Sequence, residues 1–396
     1  MTTAVLEHLG PLALAPILGR SAFQRHLHHL GRIGIRRVGV RGEADIAGDE
    51  LRRQAAALGD RAPAIVTEDF GGPVEEDVLV VQADAVFDPR LYDALAAADG
   101  PAVLVDDRGA GDRPVRVGLA RTRGPVPSGA GGTGRDGPGP AEIRLSELPA
   151  YLPALRRELP PWWRHLHGSE DLHAAADRLI DATQKGVLDF PARYLHPAPE
   201  NALTRRLAGT PVTPNQITLV TGVLGFAAAG LFAAGRFGTG LVLAAFVNVL
   251  DGVDGKLARV KLLASRFGDR LDHTLDVSFE FAWYLGIGWG LRGAGGPDPL
   301  ALAGLLIATM LACRGVSGLY RLAAGRQIHD HTAFDRAFRL VAGRRNIYVV
   351  VLLTGWAAGA VGPAFRVCVA WAIGTLAVYV VRTAMAAAGR MLRRAA

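Results

Sequence analysis

Beyond Thr213 the chain passes through one apolar stretch after another, each about long enough to cross a bilayer, and four aspartates are set among them. Few folds accommodate that combination. In a hydrocarbon core every backbone polar group must be satisfied internally, so apolar stretches of about 20 residues fold as spanning helices. Six spans are expected, at 215–234, 238–258, 272–291, 299–320, 347–361 and 364–383, the fifth only marginally long enough. Ionisable side chains beside such helices are costly to bury and by default mark a functional site.

Asp251 and Asp254 are three residues apart, and Asp272 and Asp276 four apart. On helices each pair projects from about one face, and two such faces opposed would form a cage of carboxylates. Paired aspartates at this spacing are more often a solvated face, but here they adjoin apolar runs. Four negative charges repel strongly in a low-dielectric site unless cations fill it, and hard oxygen donors suit Mg²⁺ or Mn²⁺. Two such ions can clamp the attacking and leaving oxygens of a phosphoryl displacement. Gly255 and Ala258 leave the same helix face open for a bulky ligand, Gly268 does so on the opposing helix, and Arg259 can fork onto phosphate oxygens.

These residues, Asp251, Asp254, Gly255, Ala258, Arg259, Gly268, Asp272 and Asp276, resemble the signature of the CDP-alcohol phosphotransferases, D-x2-D-G-x2-A-R-x8-G-x3-D-x3-D, with every position filled. The resemblance implies a membrane enzyme that displaces CMP from a CDP-linked alcohol, usually a lipid, by the hydroxyl of a second alcohol. It implies that Asp251, Asp254 and Asp272 hold two divalent cations, with Asp276 completing the set and acting as general base. It implies too that Gly255, Ala258, Arg259 and Gly268 contact the CDP moiety, and that the protein is a homodimer. Asn215 and Thr218, in the run TPNQIT, also look like the family; helix capping by Thr213 and Asn215 accounts for that run equally well.

Residues 1 to about 123 read as a soluble α/β unit. Apolar runs at 37–40, 64–67, 78–82, 102–105 and 115–120 alternate with helical patterns at 21–30, 49–58 and 89–98, which suggests a mostly parallel sheet. The runs GPLALAPILGRSAFQRHLHHLGRIGIRRVGV and DVLVVQADAVFDPRLYDAL resemble the sugar-phosphate nucleotidyltransferases. The chain departs from that family in starting too late for the glycine-rich loop and basic residue that hold a triphosphate. Asp84 falls where the family places a metal-binding aspartate, and a relic or a strand-end cap fits it as well. A scaffold, dimerisation or regulatory role is therefore expected for this unit. The expected divisions are a first domain at 1–160 containing a flexible loop at 124–140, a juxtamembrane stretch at 161–212, and a membrane domain at 213–396. Within the juxtamembrane stretch Trp162 and Trp163 suit a membrane interface or a packed core about equally. The segment from Ser169 reads as an amphipathic helix on the cytoplasmic membrane face, with Ser169 in its capping pattern. The first twenty residues lack a basic leader and a cleavage site, so no signal peptide is expected.

A net charge of +7 suits anionic lipids or phosphorylated substrates, and with no basic run interleaved with aromatics a nucleic-acid partner is not expected. Cys313 and Cys368 support neither a disulfide framework nor a thiolate metal site. Lys256, Arg259, Lys261, Arg266 and Arg270 crowd one loop region, residues 321–345 carry six arginines, and Arg390, Arg393 and Arg394 close the chain. The alternate loops hold little beyond Arg236 and Arg292. The positive-inside rule then puts both termini and the aspartates on the cytosolic side of a prokaryotic plasma membrane. Arg314, within the fourth span, together with Arg193, Lys185 and Arg345, leans the acceptor toward a phosphorylated polyol. The cluster His329, Asp330 and His331 reads as loop. Two other functions fit: a bifunctional enzyme whose first domain makes the CDP-alcohol, as in fusions that build inositol-phosphate diesters, or a non-catalytic membrane binding protein.

Overall fold

The computed structural model describes residues 1–42, 48–59, 62–66, 77–109, 115–123, 140–293 and 296–395. Its chain divides into two compact units, the first comprising 1–153, 158–183 and 260–262, and the second 154–157, 184–259 and 263–396. The expected flexible loop at 124–140 lies, except for Pro140, outside the described residues.

The first unit is built on a sheet of β1 (Thr3–Leu9), β2 (Arg37–Gly42), β3 (Ala64–Val66), β4 (Asp77–Gln82), β5 (Ala102–Asp106), β6 (Val115–Arg123) and β7 (Ala141–Arg144), in the order β7-β5-β6-β4-β1-β2-β3. Only β6 runs antiparallel to its neighbours. The sheet is mostly parallel, as expected, but sequence reasoning missed β1. A strand buried on both faces signals itself by a continuous apolar run, and TAVLEHL is interrupted by Glu7 and His8. Around the sheet lie α1 (Pro11–Leu14), α2 (Ala22–Arg32), α3 (Gly48–Ala56) and α4 (Pro89–Ala97). A capping box starts α2: Ser21 Oγ accepts from Gln24 N at 3.1 Å, and Gln24 Oε1 accepts from Ser21 N at 3.2 Å. Phe23, Leu27 and Leu30 then recur at helical spacing and are fully buried beside Leu6, Leu79 and Val81, each contributing about 1.5–3 kcal/mol through burial.

On the same helix His26 is sealed in the core. Its Nδ1 accepts from Tyr92 Oη at 2.5 Å while Nε2 faces Ala83 O at 3.2 Å, an arrangement that suits the neutral ring. Burial pushes its pKa down to about 4. Because the folded-state value is depressed, the stability tied to the neutral ring is complete above the unfolded value near 6.5 and is lost as pH falls toward about 4, roughly 3 kcal/mol in all. Calorimetry of the intact protein at pH 7 and pH 5 should show the first unit melting earlier at pH 5, with a smaller acid shift in His26→Gln. Equal shifts in the two proteins would assign the acid lability to another group.

The tryptophans and the helix α5 (Ser169–Asp181) depart from the membrane-surface expectation. Trp162 is buried with Ile17, Val86, Leu166 and Ala175 in a cluster within the first unit, and Arg178 lies over its ring. Trp163 Nε1 donates to Asp106 Oδ2 at 2.9 Å. The apolar stripe of α5 is therefore spent on the α/β unit, and of the two readings of the tryptophans it is packing that the structure supports. Ser169 is the first helical residue rather than the cap, and Asp171 Oδ2 takes up the nearby His167 N–H at 3.0 Å.

The second unit is all-helical apart from its short segment 154–157. It contains α6 (Pro197–Ala208), α7 (Pro214–Ala233), α8 (Phe237–Val260), α9 (Arg266–Gly290), α10 (Pro299–Ala324), α11 (Ala333–Val341), α12 (Arg345–Ala357) and α13 (Val361–Ala395). Among the described residues four helices, α7, α8, α10 and α13 as far as Arg390, are long and apolar enough to cross a membrane. The expected fifth span at 347–361 is cut short: α12 ends at Ala357, Gly359 turns the chain at φ +70°, and α13 starts at Val361. Glycines let α7 and α9 approach closely. A Cβ on Gly225 would lie 2.6 Å from the Phe279 ring, and Gly286 sets the backbone of α9 against Ala229. Trp283 Nε1 fastens the pair by donating to Gly225 O at 2.7 Å.

Candidate active site

The helices α8 and α9 are joined by residues 261–265, where Leu262 takes φ +60°, and Ser265 Oγ caps α9 by accepting from Gly268 N at 3.0 Å. Asp251 and Asp254 thus sit near the end of α8, with Asp272 and Asp276 near the start of α9. Carboxylate oxygens of Asp251, Asp272 and Asp276 lie within 4.8 Å of one another. Three hard oxygen donors at that spacing fit Mg²⁺ or Mn²⁺. Asp254 belongs to the same end but is held differently: Thr218 Oγ1 donates to its Oδ2 at 2.5 Å, and Gly255 N donates to Oδ1. The sequence expected a cage of four; three carboxylates converge, and the fourth is satisfied by hydrogen bonds.

Arg345, expected near an acceptor phosphate, lies against the carboxylates themselves. Its Nη1 donates to Asp276 Oδ1 and its Nη2 to Asp251 Oδ2, both at 2.9 Å, and the guanidinium lies 4.9 Å from the centroid of Phe279. One fork thereby bridges two clustered carboxylates and offsets one of their two charges. Thr218, grouped in the sequence with the CDP contacts, is the hydroxyl that holds Asp254. Asn215 Oδ1 is 3.0 Å from where a Cβ on Gly268 would lie, so this glycine leaves room at the mouth of the helix pair. Arg259 folds back over Gly255, with Nη1 3.4 Å from a Cβ placed there, and its buried Nε has no hydrogen-bond partner among the described residues. Ala258 is half-buried on the same helix. Lys185 lies in the electrostatic field of Arg259, Asp251 and Asp272, and desolvation, the largest influence, pushes its pKa down. Arg314 instead faces Glu280 at 3.7 Å, and Arg193 stacks on Tyr194 with its Cζ 5.4 Å from the ring centroid.

Several residues here escaped sequence reasoning. Glu280 follows Asp272 and Asp276 at the same four-residue step, a signal that could have found it; Tyr284 Oη donates to it at 2.7 Å. Glu200 on α6 reaches Lys256 at 2.9 Å, both buried, and its carboxylate lies directly against Gly252. No spacing announces that contact.

A basic cluster adjoins the carboxylates along the chain, since Arg344 precedes Arg345. Arg339 of α11 is 4% exposed, yet its Nε and Nη1 have no hydrogen-bond partner among the described residues. Desolvation first, then Arg344 and Arg156, lower its pKa to about 9. His329 is pushed down to about 2 by desolvation and then by Arg339, Arg344 and Arg156. Arg156, at φ +51°, comes from the segment 154–157 and donates to Gln327 Oε1 at 3.2 Å. A guanidinium buried with unpaired N–H groups among like charges is costly, and a bound anion relieves both costs.

Residues 211–391 match the family profile described as CDP-alcohol phosphatidyltransferase. The Escherichia coli inner membrane protein YnjF is 32% identical over 169 residues, which cover 40% of this chain and 79% of that one. Two proteins called bifunctional IPC transferase and DIPP synthase are each 29% identical: that of Rubrobacter xylanophilus over 51% of this chain and 44% of its own, and that of Aquifex aeolicus over 54% and 48%. The chain spans about half the length of these two relatives.

Proposed function

Because the chain belongs to the CDP-alcohol phosphatidyltransferase family, we propose that its second unit transfers a phosphoryl-alcohol group from a CDP-alcohol to an acceptor hydroxyl, releasing CMP, in a reaction of the inositol-phosphate diester type. The convergence of Asp251, Asp272 and Asp276 within 4.8 Å carries this reading. Two divalent cations held by these residues and Asp254 would supply Lewis-acid stabilisation of the phosphoryl oxygens. Arg259, over Gly255, grips the donor's diphosphate beside Gly268 and Ala258. The acceptor oxygen attacks the phosphorus nearer the alcohol, its proton passes to Asp276, and the bond to CMP breaks with the electron pair leaving on CMP.

Arg339, Arg344 and Arg156 favour an acceptor that carries its own phosphate. Six crossings are read in the bilayer: the four long apolar helices, α9 with its charged first turns at the surface, and α12, which at about 20 Å is short for a span. The concentration of arginine and lysine at the aspartate end supports a cytosolic active site, and the family supports a homodimer.

The test is CMP release by the protein in lipid, with Mg²⁺ or Mn²⁺, a CDP-linked donor and a panel of acceptors including inositol phosphate. Release that requires both metal and a phosphorylated polyol is expected; equal release with unphosphorylated alcohols would remove the acceptor assignment. In Arg339→Gln the acceptor KM should rise about tenfold or more, the loss of about 1.4 kcal/mol or more that follows from removing a charged hydrogen bond, with donor KM little changed. A second reading, in which the first unit makes the CDP-alcohol, is favoured by the relatives being named bifunctional. Pyrophosphate release from CTP and inositol phosphate would establish it, whereas none would leave the transferase dependent on a donor made elsewhere.

A further inference from the structure

The reaction proposed above occupies the aspartate end of the second unit, and the opposite end carries a pocket which that reaction leaves unused. Phe237 opens α8 at this end, about 21 Å along the helix axis from Asp251. The pocket encloses about 950 Å³ and is lined by Phe237, Leu291, Leu302, Trp356, Phe365 and Arg366 among others. That volume falls in the upper part of the range of about 300–1,000 Å³ usual for ligand sites. Three of the four long apolar helices, α8, α10 and α13, begin here. The pocket therefore lies where a bilayer's headgroups meet its hydrocarbon, a depth that favours tryptophan.

The backbone around it is fixed in shape. Gly296 at φ +96° and Gly359 at φ +70° turn the chain at the rim, and Pro297, Pro299 and Pro363 stiffen the same two connections. Gly238 lacks the Cβ that would collide with the Trp356 ring, so the indole lies over the start of α8. Trp356 nonetheless stays 47% exposed. Arg366, in the first turns of α13, is the one charged side chain in the lining among the described residues. It is exposed and makes no hydrogen bond or ion pair with any of them. Its Nη1 lies 3.5 Å from where a Cβ on Gly296 would be, which puts the guanidinium at the rim. Arg292, in the connection after α9, is engaged otherwise, with its Cζ 3.0 Å from the centroid of Trp289.

We propose that this pocket binds an anionic phospholipid of the leaflet away from the aspartates, with its phosphate on Arg366 and an acyl chain against Phe237, Leu302 and Trp356. An unpaired guanidinium calls for a phosphate, and an apolar wall calls for hydrocarbon. Charge selects the headgroup. The ammonium of a zwitterionic lipid would find no carboxylate in the lining, whereas a net negative headgroup needs only the cation. The bound lipid ties the connection between α9 and α10 to that between α12 and α13.

Native mass spectrometry of the intact protein tests this independently of turnover. The protein is titrated, without metal or CDP-alcohol, with phosphatidylglycerol or with phosphatidylcholine of the same acyl chains. The first lipid retained should favour phosphatidylglycerol about tenfold, as one charged contact allows. That preference should disappear in Arg366→Gln and persist in Arg292→Gln and in Arg339→Gln, the latter at the aspartate end. Filling the pocket by Leu302→Trp should weaken retention of both lipids. Equal retention by the wild type, a preference that survives Arg366→Gln, or retention unchanged in Leu302→Trp would each overturn the proposal. So would a preference lost in either control variant, which would mark a general charge effect or a lipid at the aspartate end, and a preference confined to a dimer, which would put a second copy over the pocket. The wild-type comparison decides the matter even if a variant fails to fold.

Discussion

Asp276→Asn should lower kcat by about 10²–10⁴, the contribution of a positioned general base, while leaving Mn²⁺ binding weakened but measurable. The expectation rests on what the substitution keeps. Asparagine retains an oxygen to accept from Arg345 Nη1, now 2.9 Å from Asp276 Oδ1, so the fork joining α9 to α12 survives. Asp251 and Asp272 still offer two of the three converging carboxylates. Lost are one negative charge and the capacity to take the acceptor's proton. Turnover with saturating donor and acceptor, measured beside Mn²⁺ affinity by electron paramagnetic resonance, separates the two effects. A kcat close to wild type would remove Asp276 as the base. A deficit fully recovered by raising Mn²⁺ would make it a metal ligand only.

The reach of sequence reasoning followed the range of the interactions involved. Asp251, Asp254, Asp272 and Asp276 were legible because helical spacing by itself places each pair on one face, and the turn between α8 and α9 brings the pairs to one end. Within that quartet, the division into three converging carboxylates and one hydrogen-bonded carboxylate depends on Thr218, 36 positions from Asp254. The same limit hid Arg345: it lies 69 residues from Asp276 and 94 from Asp251, and its role is set by the packing of α12 against Phe279 and Trp283. Arg339 was counted only as loop charge, since no local pattern tells a buried guanidinium from a solvated one. In the first unit five strand segments declared themselves by apolar runs, whereas β1 was obscured by Glu7, a buried residue whose polarity breaks the apolar run. Trp162 carried an ambiguous signal, because an amphipathic aromatic suits a membrane interface and a half-polar core alike, and the neighbouring α5 decided for the core.

Removing the guanidinium by Arg345→Leu should make the second unit's stability strongly dependent on metal. Asp251 and Asp276 are mostly buried, with side chains 27% and 23% exposed, and both pair with Arg345, itself 11% exposed. Taking one partner from a buried ion pair leaves uncompensated charge and costs about 3–5 kcal/mol. In the wild type the guanidinium offsets one of those charges with or without a cation, so chelator should shift thermal unfolding less than in the variant. In the variant the carboxylates repel until a divalent cation enters, and a cation at 100 times its Kd returns about 2.7 kcal/mol. Thermal unfolding in detergent, run for both proteins in EDTA and in Mg²⁺, should therefore show a large gap in EDTA that mostly closes in Mg²⁺. Divalent affinity should rise in the variant, because the ion no longer displaces a guanidinium, while turnover falls if Arg345 has to swing from the carboxylates to the substrate's phosphate. A gap of the same size in EDTA and in Mg²⁺ would mean that Arg345 stabilises the helices by packing over Phe279 and that its fork is incidental to the metal site.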